Sequence, residues 1–134
     1  MKPYTLVSIL LLLFVFSGCS NDDDAINFFS LDGTWDMVNV NGGFLGIDED
    51  FANGTIIWDF DETNFTVTIT NNNTNDEIYT ILPTGTYPYS VTAFGGGQEF
   101  IINEMIIGNF GVNSNNEFVI DQQLRDGFKF TFRR

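Results

Sequence analysis

Phe65-Thr66-Val67-Thr68-Ile69-Thr70 alternates apolar residues with threonine without a break. A side-chain period of two is that of an antiparallel strand with one face in a core and the other in water. Phe128-Lys129-Phe130-Thr131-Phe132-Arg133, at the C-terminus, repeats the pattern with larger residues, three Phe against Lys, Thr and Arg. Working outward, Ile56, Trp58 and Phe60 share one face of residues 54–60. Tyr87, Tyr89 and Val91 share a face of another strand, in which Pro88 lacks a backbone donor and so predicts an edge or a bulge. Further strands are expected at 34–40, 77–82, 100–103, 105–110 and 117–121, with a short helical turn within 46–53. Turn-forming stretches separate them: Asn41-Gly42-Gly43, residues 61–64, residues 71–76, Gly95-Gly96-Gly97, residues 113–116 and Asp126-Gly127. Eight or nine short strands joined mostly to their sequence neighbours predict an all-β, antiparallel, up-and-down barrel of eight to nine strands. Closure also removes the unpaired edges that such uncharged strands would otherwise expose.

The residues ahead of this pattern read differently. A short basic start, Met1-Lys2-Pro3-Tyr4, precedes an apolar run from Leu6 to Phe16. The run is well short of the about 20 residues that cross a bilayer, and has the length of a signal-peptide core. It ends in Phe16-Ser17-Gly18-Cys19, which resembles the lipobox of bacterial lipoproteins, with Phe16 where Leu is usual. That resemblance implies cleavage before Cys19 and acylation of its sulfur, and several acyl chains hold a protein firmly on a membrane. Ser20-Asn21-Asp22-Asp23-Asp24 follows, a run whose carboxylates repel and stay solvated. It is similar to the acidic export signal of surface-exposed lipoproteins of Bacteroidetes. The expected organisation is a signal peptide at 1–18, a lipidated acidic tether at 19–27 and one barrel domain at 28–134. The expected location is the outer membrane, at the cell surface, with a periplasm-facing orientation as the alternative.

Leu31-Asp32-Gly33-Thr34-Trp35 at the first strand resembles the Gly-x-Trp signature of lipocalins. Residues 54–60, residues 84–89 and the closing residues 126–133 add to it, and together the chain is similar to short lipocalin-like lipoproteins of Bacteroidetes. The resemblance covers 31–134 and implies a lipocalin-like, calycin-type barrel. It further implies that Gly33 and Trp35 close one end, with an arginine from near the last strand packed across the Trp35 ring. Arg125 is the first candidate for that arginine and Arg133 the second. The chain lacks the long helix that lipocalins carry before their end.

Composition narrows the chemistry. The chain of 134 residues has no His and one Cys, which removes Ser-His-Asp and Cys-His catalysis, His-based metal sites, and disulfide or CxxC chemistry. With 18 acidic residues against 5 basic ones the net charge is −13, the wrong sign for nucleic acid. Asp48-Glu49-Asp50 followed by Asn53 lacks EF-hand spacing and reads as a solvated acidic loop. Gly95-Gly96-Gly97 has no following Lys or helix and reads as a hairpin end. No catalytic residue, metal site or cofactor is expected, and the chain is expected to be monomeric, meeting the membrane only through its lipid.

The 15 Phe residues pose the functional question. An eight-stranded barrel is just wide enough to be filled by side chains or to hold one small ligand. Trp58, Phe60, Phe65, Tyr87, Tyr89, Phe128 and Phe130 are the candidate lining residues for a small apolar or amphipathic ligand. The alternative is that such rings fill the barrel, leaving a cell-surface interaction or structural protein that works through its Asn- and Gly-rich loops.

Overall fold

In the computed structural model, which describes residues 29–122 and 126–134, the alternating stretches become nine strands: β1 (Gly33–Gly42), β2 (Ile47–Asp50), β3 (Ile56–Asp61), β4 (Thr66–Asn71), β5 (Gly85–Phe94), β6 (Gly97–Ile102), β7 (Met105–Val112), β8 (Phe118–Asp121) and β9 (Phe128–Arg133). Every pairing is antiparallel, and from β3 to β9 each strand pairs with the next in sequence. β1 meets β3 through residues 33–36 and β9 through residues 36–42, so the sheet closes on itself. Eight strands make the closed barrel expected from the alternation. The ninth, β2, runs beside residues 39–42 of β1 as an extension of the β3 line. No helix is present among the described residues.

Two strands depart from strict alternation, and bulges account for both. Trp35 and Met37 point inward on β1, and a strict two-step series would place Asn39 in the core next. The next buried residue is instead Val40. The β1–β9 register slips between Met37 and Asn39, which turns Val40 back into the core. In β7 the slip opposite Phe100 and Ile101 likewise places Ile107 inward and brings Phe110 against the core three residues later.

The structure corrects four local expectations. Residues 77–82 are not a strand. Asn71, Asn73 and Asn75 each accept a backbone N–H two residues ahead, and Ile81 has φ 69°, so no extended run survives. Ile78, Ile81 and Leu82 instead pack onto the core, while the Tyr79 ring lies 5.3 Å from Phe128 and 5.9 Å from Phe130. Residues 46–53 hold β2 rather than a helical turn, because the hairpin at 43–46 folds them onto β1. There Asn39 Nδ2 donates to both Asp48 and Asp50, each at 2.9 Å. Phe65 does not join the inward face of β4. It sits at φ 53° in the turn before the strand and is 63% exposed, while Val67 and Ile69 are buried. Pro88 lies in an interior strand, at the point where β5 passes from pairing with β4 to pairing with β6. Its missing donor falls where neither ladder needs it.

The lumen is filled with rings. Trp58, Phe100, Phe118, Phe130 and Phe132 are fully buried and Phe60 nearly so. Phe118 stacks on Phe132 at 4.2 Å, Trp58 lies 4.8 Å from Phe132, and Phe60 meets Phe118 edge-on at 5.8 Å. Phe118 and Phe132 are cross-strand partners on β8 and β9. Phe60 on β3, however, reaches Phe118 on β8, and Trp58 and Phe60 both reach Phe100 on β6, at 6.2 and 6.1 Å, across the interior, so the centre of the barrel is a packed core.

Candidate functional site

The antiparallel order puts the start of β1, the β3–β4 turn, the β5–β6 hairpin, the β7–β8 turn and the end of β9 at one end. Residues 29–32 cross this end before β1 begins. Gly33 turns them into the strand at φ 93°, a conformation an L side chain rarely adopts. The crossing segment is held by Glu62 in the β3–β4 turn, whose two oxygens accept from Leu31 N at 2.7 Å and Ser30 Oγ at 3.0 Å. Asp32 Oδ1 accepts from Glu62 N in return, at 3.2 Å.

Trp35 lies beneath that segment, 2% exposed, and its Nε1 donates to Leu31 O at 2.7 Å. The guanidinium across its ring belongs to Arg134, 4.4 Å from the centroid, which also donates to Ser30 O at 3.2 Å and Asp32 O at 2.5 Å. Cation–π contact and two carbonyls therefore fix the C-terminal residue to the crossing segment. Arg133 points elsewhere. Its Nε donates to Glu117 Oε1 at 2.7 Å and its Nη2 pairs with the same oxygen, while Asn113 Nδ2 donates to Glu117 Oε2 at 2.6 Å. The Asn113 bond first, and then Arg133, hold the buried Glu117 carboxyl below the usual carboxylate range. Arg125 lies outside the described residues, as does Cys19.

Beside the crossing segment is a hollow of about 780 Å³, lined by Phe29, Leu31, Glu62, Phe65, Tyr89, Ser90, Val91, Gln98, Phe110 and Val112. Register explains it. β4 begins opposite Pro88, so residues 89–94 of β5, with β6 and the end of β7, run past β4 and leave a gap that the β3–β4 turn only borders. The Phe29 ring stands between Trp35, at 5.4 Å, and Phe110, at 6.5 Å, and links the closed end to the hollow. Burial, then the charges of Glu62, Asp32 and Asp61, push the Tyr89 hydroxyl up to about 12, so it stays protonated under ordinary conditions.

The seven lining candidates are thus divided. Phe65 and Tyr89 border the hollow. Trp58, Phe60 and Phe130 belong to the packed lumen. Phe128 lies at the opposite end against Tyr79, and the hydroxyl of half-buried Tyr87 donates to Pro83 O at 3.1 Å. Residue pattern alone missed Phe29 and Leu31, which precede the first alternating strand, and Phe110, whose inward turn depends on the β7 bulge.

The opposite end has a smaller hollow of about 310 Å³, lined largely by Asn and the apolar residues of 78–83. Among the described residues no three carboxylates or thiols gather as metal ligands, and no helix is long and apolar enough to cross a membrane. No family model, no curated protein and no solved structure matches the chain.

Proposed function

We propose that this is an extracytoplasmic lipoprotein, anchored by a lipid on Cys19, whose barrel binds one small apolar or amphipathic molecule. Binding takes place in the hollow beside Trp35 rather than down the barrel axis. The observation that carries the reading is the hollow itself. Its volume falls within the about 300–1,000 Å³ of small-molecule sites, and an apolar wall with a few polar groups at its edge is their usual composition. The lipobox-like Phe16-Ser17-Gly18-Cys19 and the aspartates after it support export and anchoring. Absence of His removes Ser-His-Asp and Cys-His catalysis from such a site and is consistent with a binding role. Titration with Nile red, a neutral apolar fluorophore, tests the reading: one site is expected in the native chain and none in Val91→Trp, whose indole would occupy the hollow. Failure of the native chain to bind the probe would leave the second reading.

That reading is a surface interaction protein with a solid core, and the ring-filled lumen favours it. Phe44 and Leu45, 87% and 85% exposed on the β1–β2 hairpin, would then be part of the contact surface. Their replacement by Ser should leave Nile red binding intact if the hollow is the working site.

A further inference from the structure

The hollow has a sign as well as a shape. Of its lining side chains Glu62 is the charged one, and Asp32 and Asp61 stand close enough to act on Tyr89 at its wall. Among the described residues the bases at this end are already engaged, Arg133 with Glu117 and Arg134 with the Trp35 ring and two carbonyls. Four aromatic rings, those of Phe29, Phe65, Tyr89 and Phe110, border the same space. Aromatic faces attract cations through their quadrupole, and they receive quaternary ammonium groups especially well because no hydrogen bond is required. A carboxylate head placed there would meet the like charge of Glu62, with no base in the lining to offset it.

We propose, resting on the binding reading above, that the hollow selects amphiphiles with a positively charged, alkylammonium-type head over carboxylates with the same tail. The tail lies against Val91, Phe110 and Val112, and the head lies at the aromatic rings beside Glu62. Phe65, 63% exposed in its turn, supplies a ring at the mouth without a change in the barrel. Glu62 thus has two roles: its oxygens hold residues 30 and 31, and its charge faces the ligand.

Calorimetric titration of the full chain with dodecyltrimethylammonium, dodecanoate and dodecyl maltoside, each below its critical micelle concentration, tests this. The cation is expected to bind at least about tenfold more tightly than dodecanoate, with the neutral maltoside between them. Glu62→Gln, which keeps an acceptor for Leu31 N, should reduce that preference at least about threefold. It removes one of 18 acidic residues, so non-specific attraction to the chain would hardly change. Dodecanoate binding as well as or better than the cation overturns the charge selection and leaves the binding reading standing. Absence of binding by all three overturns both. Cation binding unchanged in both Glu62→Gln and a folded Val91→Trp places the ligand elsewhere and also overturns the proposal. If Val91→Trp does not fold, Glu62→Gln alone decides.

Discussion

Trp35 and Trp58 face each other across the β1–β3 ladder, both fully enclosed, yet only one has its indole N–H satisfied. Trp35 Nε1 reaches Leu31 O, whereas Trp58 Nε1 has no acceptor among the described residues. A buried donor without a partner costs about 1–3 kcal/mol. Replacement by Phe therefore has unequal consequences. Trp58→Phe removes the unpaired donor along with some volume, while Trp35→Phe loses a hydrogen bond and weakens the Arg134 stack. Denaturant melts should find Trp35→Phe the more destabilising by about 1–2 kcal/mol, and equal losses would show that the Trp58 donor is not in fact unsatisfied. Glu117 gives a second test. Its folded-state pKa is lowered, so between that value and the ordinary 4.5 the unfolded chain binds more protons. Stability from this group is complete above the ordinary value and is lost as pH falls through the folded one. Glu117→Gln should be less stable than the native chain near neutral pH, and the gap should narrow on acidification. A gap in melting temperature that stays constant with pH would mean that the carboxylate charge is not what Asn113 and Arg133 hold.

At the scale of the element, what matters is where alternation fails. β7 follows its bulge with Gly108, which pairs with Phe100 and runs alongside β8. A Cβ at Gly108 would come within 2.8 Å of the Asp121 carbonyl oxygen and 3.0 Å of the Ile120 side chain. Gly108→Ala must then push β7 from β8, and overpacking of that kind costs about 1–3 kcal/mol. Urea melts should show that loss; a neutral substitution would mean that β8 is free to move outward. The strands with unbroken alternation, β3, β4 and β9, were legible in the sequence because burial of one face imposes period two on every residue. The bulges in β1 and β7 were not, since Val40 and Phe110 fall inward only once the partner's register is known. The 77–82 stretch misled for a related reason. Its Ile and Leu content suits a strand, but the Asn side chains before it capture the backbone donors first. The site was half legible: aromatic abundance pointed to an apolar surface, but only the offset of β5 past β4 separates rings that fill the lumen from rings that border the hollow.

For the whole molecule, closure and attachment are separable. The ladder from β3 through β9 and back to β1, the Trp35–Arg134 stack and the Glu62 bonds all lie within residues 29–134 and involve no thiol. A barrel of this size lies above the length at which small domains depend on disulfides or metals. The C-terminal residue and the crossing segment share one end of the barrel, the end at which the chain from Cys19 joins the described residues at Phe29. If the single cysteine is an attachment point and nothing more, Cys19→Ser should move the protein from the membrane fraction to the soluble fraction. Its melting temperature and its near-ultraviolet circular dichroism, dominated by the packed aromatic rings, should remain those of the native barrel. Retention of the variant in the membrane fraction would sink the anchor, and release with a lowered melting temperature would show that the barrel relies on the N-terminal residues for stability.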